Sequence, residues 1–218
     1  MTRHRVFISG GTGYLGRALT AQLLARGHSV LVLARAGSEG KVSAGAVAVP
    51  GDALDAATLS ARLGEADTLV HVTGTPHPAP WKELEFRAID QTSLRASAQA
   101  AAAAQVAHFV YVSVAHPAPT MKAYIAVRRE CEALLAELGL VRTILRPWYV
   151  LGPGHNWPRI LKPAYALMER TERFREGALR LGLVTLEEMT SALTWAVENP
   201  PDQLRVLDVP AIRAASAP

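Results

Sequence analysis

The chain has 218 residues, half of them hydrophobic, and carries a formal net charge of +4. That is enough apolar sequence for one well-packed core, and no run of about eighteen apolar residues predicts a membrane span. Cys131 is the single cysteine, which excludes an internal disulfide and favours a cytoplasmic location. The 23 basic residues are scattered without a recognition motif, so we expect no nucleic-acid partner, and no metal site is predicted.

The first predicted element is a short apolar strand at residues 6–9 that ends in a glycine-rich turn. Helix-forming sequence with leucines at helical spacing follows at residues 17–26. Such a turn lets a pyrophosphate approach backbone N–H groups at the helix N-terminus. An ordinary glycine turn between a strand and a helix is the alternative interpretation. The residues predicted to contact a dinucleotide here are Gly10, Thr12, Gly13, Tyr14, Leu15 and Gly16.

Strand-like and helix-like segments then alternate along the chain. The further predicted strands cover residues 29–34, 46–50, 68–73, 109–114 and 141–145, and the helices cover 56–63, 81–105 and 121–138. This alternation predicts an α/β protein with a doubly wound parallel sheet, a Rossmann fold. Ligands of such a sheet bind at the carboxyl ends of its strands.

The tail, residues 152–218, is too short for an independent domain. Its predicted elements are a helix near 163–176, a strand near 179–184, a helix that opens with a capping box at 185–188, and a strand at 204–209. We interpret the tail as a small lid over the mouth of the sheet. Residues 1–218 are therefore expected to form one domain.

Motifs that follow the glycine turn occur in a recognisable order. They are Gly51-Asp52, Val72-Thr73-Gly74, Ser113, the segment from Tyr124 to Glu132, and Arg146-Pro147. Together they resemble the short-chain dehydrogenase/reductase superfamily, in its extended and atypical branches of epimerase/dehydratase-like and nitrogen-regulator-like NAD(P)-binding proteins. The resemblance implies that Asp52 and Ala53 lie at the adenine and that residues 72–74 line the cofactor. From the residues alone, Asp52 is equally well explained as a helix cap.

The end of the second predicted strand bears on the choice between NAD and NADP. For NAD, an acidic residue that binds the ribose is expected about twenty residues after the glycines. This chain has Ala34-Arg35 there, and a guanidinium suits a 2′-phosphate. We therefore predict NADP as the cofactor, with NAD as the alternative. If Arg35 has no role in binding, it is a solvated surface arginine.

Tyr124 and Arg128 are four residues apart and so share one face of the predicted helix. The resemblance implies that the tyrosine is the general acid or base. It also implies a lysine at the second position, which would lower the tyrosine pKa and hold the nicotinamide ribose. Arg128 keeps the charge and the donors of that lysine, but it cannot relay a proton. Cys131, on the same face, is expected to be a buried apolar residue.

The serine of the family's catalytic triad is ambiguous in this chain. Ser113 ends the fifth predicted strand and is the candidate, although Val114 is the alternative occupant of that position. Thr120 or His116 could then compensate.

A substrate site is predicted beyond Arg146-Pro147, where Trp148, His155 and Trp157 follow. The two tryptophans could form a flat apolar wall for a ring-shaped substrate, or they could pack the lid against the core.

These residues predict an NADP(H)-dependent oxidoreductase with a degraded Ser-Tyr-Lys triad. Its substrate would be a small carbonyl or quinone-like compound, and its state a monomer or homodimer. A non-catalytic NADP(H)-binding sensor or accessory subunit is the alternative. A nucleotide-sugar epimerase or dehydratase is less favoured, because it depends on precise proton transfers and a larger substrate lobe.

Overall fold

The computed structural model describes residues 2–152, 177 and 179–215. Within them, the strands are β1 (Arg5–Ser9), β2 (Ser29–Ala34), β3 (Val47–Pro50), β4 (Thr68–His71), β5 (His108–Val112), β6 (Arg142–Leu145), β7 (Tyr149–Leu151), β8 (Leu183–Thr185) and β9 (Leu204–Leu207). A seven-stranded parallel sheet has the order β3-β2-β1-β4-β5-β6-β9, and β7 pairs with β8 in a separate parallel pair. The predicted Rossmann fold is confirmed.

The helices of the same residues are α1 (Tyr14–Ala25), α2 (Ala56–Leu63), α3 (Glu83–Glu85), α4 (Thr92–Ala103), α5 (Lys122–Glu137), α6 (Leu186–Glu198) and α7 (Val209–Ala215). A π-helical segment, Phe86–Gln91, joins α3 to α4. None of the helices in this described part has both the length and the apolar run needed to span a bilayer.

Helices cover both faces of the sheet, which explains the almost continuous apolar sequence of the central strands. One core contains Leu59 of α2, Leu94 of α4 and Leu135 of α5. The opposite core contains Leu19 of α1 and Leu193 of α6. The sheet is therefore buried on both sides, and its carboxyl edge is the part left for a ligand.

The strand order reverses between β1 and β4. The chain proceeds outward from β1 to β3 and then returns to β4 on the other side of β1. Ser9 and His71, the last residues of β1 and β4, are paired in register. In doubly wound sheets, the ligand crevice lies at the carboxyl edge where the strand order reverses in this way. Both the glycine turn and residues 72–74 begin at this point.

Several predicted element bounds were wrong. The long helix predicted from Trp81 begins at Glu83 and contains the π-helical segment. The last predicted strand ends at Leu207, and α7 follows it because Asp208 accepts a hydrogen bond from the Ala211 N–H (3.0 Å). The strand predicted near 179–184 begins only at Leu183.

The described parts of the tail belong to the layers of the sheet. Strand β9 extends the sheet beside β6, and α6 packs against α1. The predicted capping box at the start of α6 is confirmed, with reciprocal bonds between Thr185 and Glu188. The helix predicted near 163–176, on which the lid prediction depends, lies outside the described residues.

Candidate functional site

The turn between β1 and α1 packs so closely that side chains are excluded from it. Gly10 has a φ of +91°, and a Cβ there would lie 2.7 Å from the backbone nitrogen of Thr73. A Cβ on Gly16 would collide with the Gly10 carbonyl oxygen, which accepts the Gly13 N–H at 3.0 Å. The predicted glycines therefore let the first turn of α1 lie directly over the crevice.

Gly11 is a further glycine of this turn that the sequence reasoning did not single out. A Cβ there would lie 2.7 Å from Cγ1 of Val32 on the neighbouring strand β2. In the sequence, Gly11 is marked only by its place beside Gly10. Its contact with β2 depends on the order of the strands in the sheet.

The start of α1 has no side-chain cap. Gly13 is the N-cap and offers no side-chain acceptor, and the described first turn has no acidic residue. N–H groups at a helix start therefore remain available to an anion such as a pyrophosphate. Thr12 is half-buried beside the turn, and Leu15 packs against the core. Tyr14 is 37% exposed, and its hydroxyl lies against the backbone of Gly152.

Arg35 is exposed immediately after β2 and thus at the same sheet edge as the glycine turn. Its carbonyl accepts the Ser38 N–H at 2.8 Å, which bends the chain after the strand. Arg35 is therefore exposed to solvent at this edge.

The loop after β3 carries Asp52 and Ala53. Asp52 is exposed, and its Oδ1 accepts the Leu54 N–H at 3.0 Å. The N-cap of α2 is Asp55, whose Oδ1 accepts the Ala57 N–H at 2.9 Å. The helix-cap explanation of Asp52 was therefore wrong, while its exposed carboxylate remains accessible. Ala53 is partly buried against the core.

Residues 72–74 lie across the crevice from the glycine turn. The Val72 N–H donates to the Ser9 carbonyl at 2.9 Å, and the hydroxyls of Thr73 and Ser9 are 2.9 Å apart. A Cβ on Gly74 would lie 2.6 Å from Nη2 of Arg128. Gly74 thus makes room for the arginine side chain at the end of β4.

Arg128 is almost fully buried beneath this edge. Its Nη1 donates to the Val112 carbonyl at 2.8 Å and to the Tyr111 hydroxyl at 3.2 Å, and its Nη2 donates to the Asp90 carboxylate. Asp90 has no exposed side-chain surface, and its Oδ2 accepts both the N–H (3.0 Å) and the hydroxyl (2.5 Å) of Thr75. The charge at the family's lysine position is therefore neutralised within the protein.

Sequence reasoning missed Asp90, because it lies 38 residues from Arg128 in the chain. It belongs to the π-helical segment, a local widening that often marks functional sites. An acidic residue ahead of an alanine-rich helix is the only signal that the sequence offered.

Tyr124 is half-buried on the first turns of α5, as its predicted helix position requires. Its ring centre lies 4.9 Å from Cζ of Arg128 and 4.8 Å from the ring centre of Phe86. Burial raises the pKa of Tyr124, the nearby Arg128 charge opposes that change, and Asp90 adds to it. The phenol therefore keeps the protonated form that a tyrosine ordinarily has at neutral pH.

Ser113 uses its hydroxyl within the protein. Its Oγ donates to Oε1 of Glu132 at 2.6 Å, and Arg146 binds the same carboxylate through Nε (3.1 Å) and Nη2 (2.5 Å). His116 has its Nε2 3.7 Å from Glu132 Oε1, and burial, aided by Arg146, lowers the pKa of its imidazole. These groups join the ends of β5 and β6 to α5. Val114, the alternative occupant of the serine position, is buried.

A cavity of about 370 Å³ opens beside Tyr124. Its lining residues come from the connections after β4 and β5 and from the start of α5: Pro80, Phe86, Pro119, Thr120, Met121, Lys122, Ala123 and Tyr124. Thr120 is exposed, and its hydroxyl side chain shares this cavity with the phenol.

The remaining predicted residues are only partly described. Trp148 is half-buried between β6 and β7, whereas His155 and Trp157 lie outside the described residues. Cys131 is buried, and burial raises the pKa of its thiol to about 11. A thiol with so high a pKa is unreactive, which fits the expectation of a packing role.

Comparison with known proteins gives three informative similarities. A family whose sequence model is described as NAD(P)H-binding matches residues 10–178. A 4-hydroxy-2-methyl-3-oxo-4-farnesyl-3,4-dihydroquinoline-1-oxide ketoreductase of Stigmatella aurantiaca is 28% identical over 193 residues, 78% of this chain and 57% of that protein. A ceramide reductase of Caulobacter vibrioides is 32% identical over 159 residues, 68% of this chain and 47% of that protein. The chain thus spans about half the length of these relatives.

Solved structures of other proteins share the fold of this chain. The Bordetella bronchiseptica enzyme WbmH in complex with NAD+ superposes with a TM-score of 0.71 at 21% identity, covering 95% of this chain and 76% of that one.

Proposed function

Because the chain belongs to the NAD(P)H-binding family of the short-chain dehydrogenase/reductase superfamily, we propose that it is an NADP(H)-dependent oxidoreductase. Its substrate is a small molecule with a carbonyl or quinone-like group. The observation that carries the proposal is the position of Tyr124, which lines a cavity at the same sheet edge as the glycine turn and packs against the Arg128 guanidinium. Two relatives with reductase names support this activity.

The residues of the crevice fit a dinucleotide. The glycine turn and the start of α1 would hold the pyrophosphate, Arg35 the 2′-phosphate, Asp52 the adenine edge, and residues 72–74 the cofactor beyond the pyrophosphate. The close packing of Gly10 against the end of β4, and of Gly16 against Gly10, is the structural support for this assignment, because it brings the start of α1 to the edge of the sheet. When bound, NADPH supplies a hydride to the carbonyl carbon.

The chain itself supplies the proton. As the carbonyl oxygen gains negative charge, the Tyr124 hydroxyl donates a proton to it, which completes the alcohol. Thr120 lines the same cavity and is the proposed second donor to that oxygen, because Ser113 is bonded to Glu132. Arg128 acts through its position beside the Tyr124 ring, since its guanidinium is paired with Asp90.

Replacing Tyr124 by phenylalanine is expected to lower kcat by about 10²- to 10⁴-fold with a ketone or quinone substrate, the usual contribution of a general acid. NADPH affinity should change little, because the ring and its packing against Phe86 remain. Stopped-flow oxidation of NADPH measures the first quantity and fluorescence titration the second. Unchanged turnover in the variant would remove Tyr124 from the mechanism.

A non-catalytic NADP(H)-binding protein is the second candidate function. One observation favours it. Arg128, at the family's lysine position, is bonded to Asp90, and Ser113, the candidate for the family's serine, is bonded to Glu132. This alternative predicts NADPH binding without turnover across a broad panel of ketones and quinones.

Replacing Arg35 by alanine is expected to weaken NADPH binding by about 10- to 100-fold, the loss of a charge-assisted phosphate contact. NADH binding should be nearly unchanged, because that cofactor has no 2′-phosphate. Titration of both cofactors checks this, with thermal shift as a second measure. Arg62→Ala, which removes an exposed arginine from α2, is the control for net charge. Equal affinity of the wild type for the two cofactors would contradict the assignment of NADP.

A further inference from the structure

The cavity beside Tyr124 has a largely apolar wall. Pro80, Phe86, Pro119 and Met121 are among its apolar lining residues, and Lys122 is the one charged residue among the described lining residues. A volume of about 370 Å³ lies within the range of pockets that bind drug-sized molecules. A wall of this composition offers little to a diphosphate, which needs clustered cations and N–H groups.

Two exposed hydrophobic side chains follow Pro80 along the chain. Trp81 and Leu84 are 83% and 84% exposed, and they are the most exposed large hydrophobic side chains of the described residues. Two such side chains three residues apart, directly after a residue that lines the cavity, are more than the single scattered apolar residues that protein surfaces normally carry.

The segment that carries these side chains is held in place. Lys82, between them, donates to the Pro76 carbonyl at 3.1 Å and pairs with Glu85 at 3.2 Å. Phe86, two residues after Leu84, is fully buried and packs on the Tyr124 ring. Residues 81–85 are thus held by the contacts of Lys82 near their start and by the buried Phe86 directly after them.

We infer that the substrate is a ketone or quinone with an extended hydrocarbon chain, with its carbonyl oxygen at Tyr124 and its chain along the cavity wall toward Trp81 and Leu84. This inference rests on the proposed function, because it names the substrate class of the same site. The hydrocarbon chain covers the apolar wall and the two exposed side chains, and the phenol meets the single polar end of the substrate. A short polar carbonyl compound would leave this surface in water.

A homologous series of methyl ketones from 2-butanone to 2-dodecanone tests the inference, with NADPH oxidation as the readout. We expect kcat/KM to rise about threefold for each added methylene until the wall is covered, the increment of burying one methylene group. Trp81→Ala and Leu84→Ala should each reduce the increase in kcat/KM that one added methylene produces. Leu54→Ala, at an exposed leucine in the loop before α2, is the matched control. A kcat/KM that does not depend on chain length overturns the inference.

A binding measurement separates this inference from the proposed function. N-Phenyl-1-naphthylamine is titrated into the NADPH-loaded protein, and 2-dodecanone is then added as competitor. Saturable fluorescence, displacement by 2-dodecanone but not by 2-butanone, and at least fivefold weaker probe binding in Trp81→Ala support the apolar site even if no ketone is reduced. If the probe binds in this way but no ketone is reduced, the proposed oxidoreductase activity is wrong and the apolar binding site is still supported. The inference is overturned if the probe does not bind, or if it binds equally well to the wild type and to Trp81→Ala. Either outcome leaves the proposed oxidoreductase activity to be judged by NADPH turnover alone.

Discussion

Replacing Asp90 by asparagine is expected to lower the free energy of unfolding by about 3–5 kcal/mol, as when one partner of a buried ion pair is removed. Arg128 would keep its charge with only neutral acceptors, the Val112 carbonyl and the Tyr111 hydroxyl, in place of a carboxylate. Neither member of the pair reaches water to compensate, since their side chains are 0% and 7% exposed. Urea denaturation followed by circular dichroism measures the change.

The matched control is the exposed ion pair of Arg87 and Glu130, 3.2 Å apart on neighbouring helical segments. Glu130→Gln should cost no more than about 1 kcal/mol, because exposed pairs contribute little. A second variant removes both buried charges, Asp90→Asn with Arg128→Met. It should recover much of the stability lost in the single variant, since no unpaired charge remains. A loss below about 1 kcal/mol in Asp90→Asn would show that Arg128 does not depend on its partner.

Replacing Gly10 by alanine is expected to abolish measurable NADPH binding and to destabilise the fold. The positive φ of +91° alone disfavours a side chain, by about 1–2 kcal/mol. The added Cβ would also lie 2.7 Å from Thr73 N and 2.8 Å from Val72 C, backbone atoms that cannot rotate away. The end of β4 must then move, and a displacement of about 1 Å at a ligand-positioning element can cost 10²-fold.

Gly27→Ala separates the two contributions. Gly27, after the end of α1, has a similar φ, +83°, but a Cβ there would meet nothing within 4 Å. It should show the conformational cost of about 1–2 kcal/mol and only a small change in NADPH affinity. Isothermal titration calorimetry and urea denaturation are run on both variants. If the two variants bind NADPH equally well, the close approach of Gly10 to Thr73 is not what forms the cofactor site.

The sheet and the glycine turn were accessible from the sequence because both depend on local pattern. Continuous apolar runs such as 29–34 are typical of parallel strands buried on both faces, and β2 has the predicted bounds. The capping box at Thr185 is likewise a local signal, read from four consecutive residues. Helix α7 was missed although Asp208 and Pro210 are ordinary helix-start residues, because the apolar sequence before them continued the strand pattern.

The polar partners of the candidate active site were not accessible in the same way. Arg128 was expected to face the cofactor, yet its guanidinium is bonded to Asp90. Ser113 was the candidate triad serine, and its hydroxyl is bonded to Glu132. Both outcomes depend on pairs that the fold brings together from distant segments, and no spacing rule connects residues 90 and 128. The helix position of Tyr124 could be predicted, but its packing against Phe86 and Arg128 could not.

The arginine at position 128 also limits how this chain could have changed over evolution. Its two terminal nitrogens serve separate acceptors, Asp90 on one side and the Val112 carbonyl on the other. A lysine has a single nitrogen at the end of its side chain and cannot reproduce that fork. A direct change from arginine to lysine at this position is therefore expected to weaken at least one of the two contacts, so that the effect of a substitution at residue 128 depends on the residue at position 90.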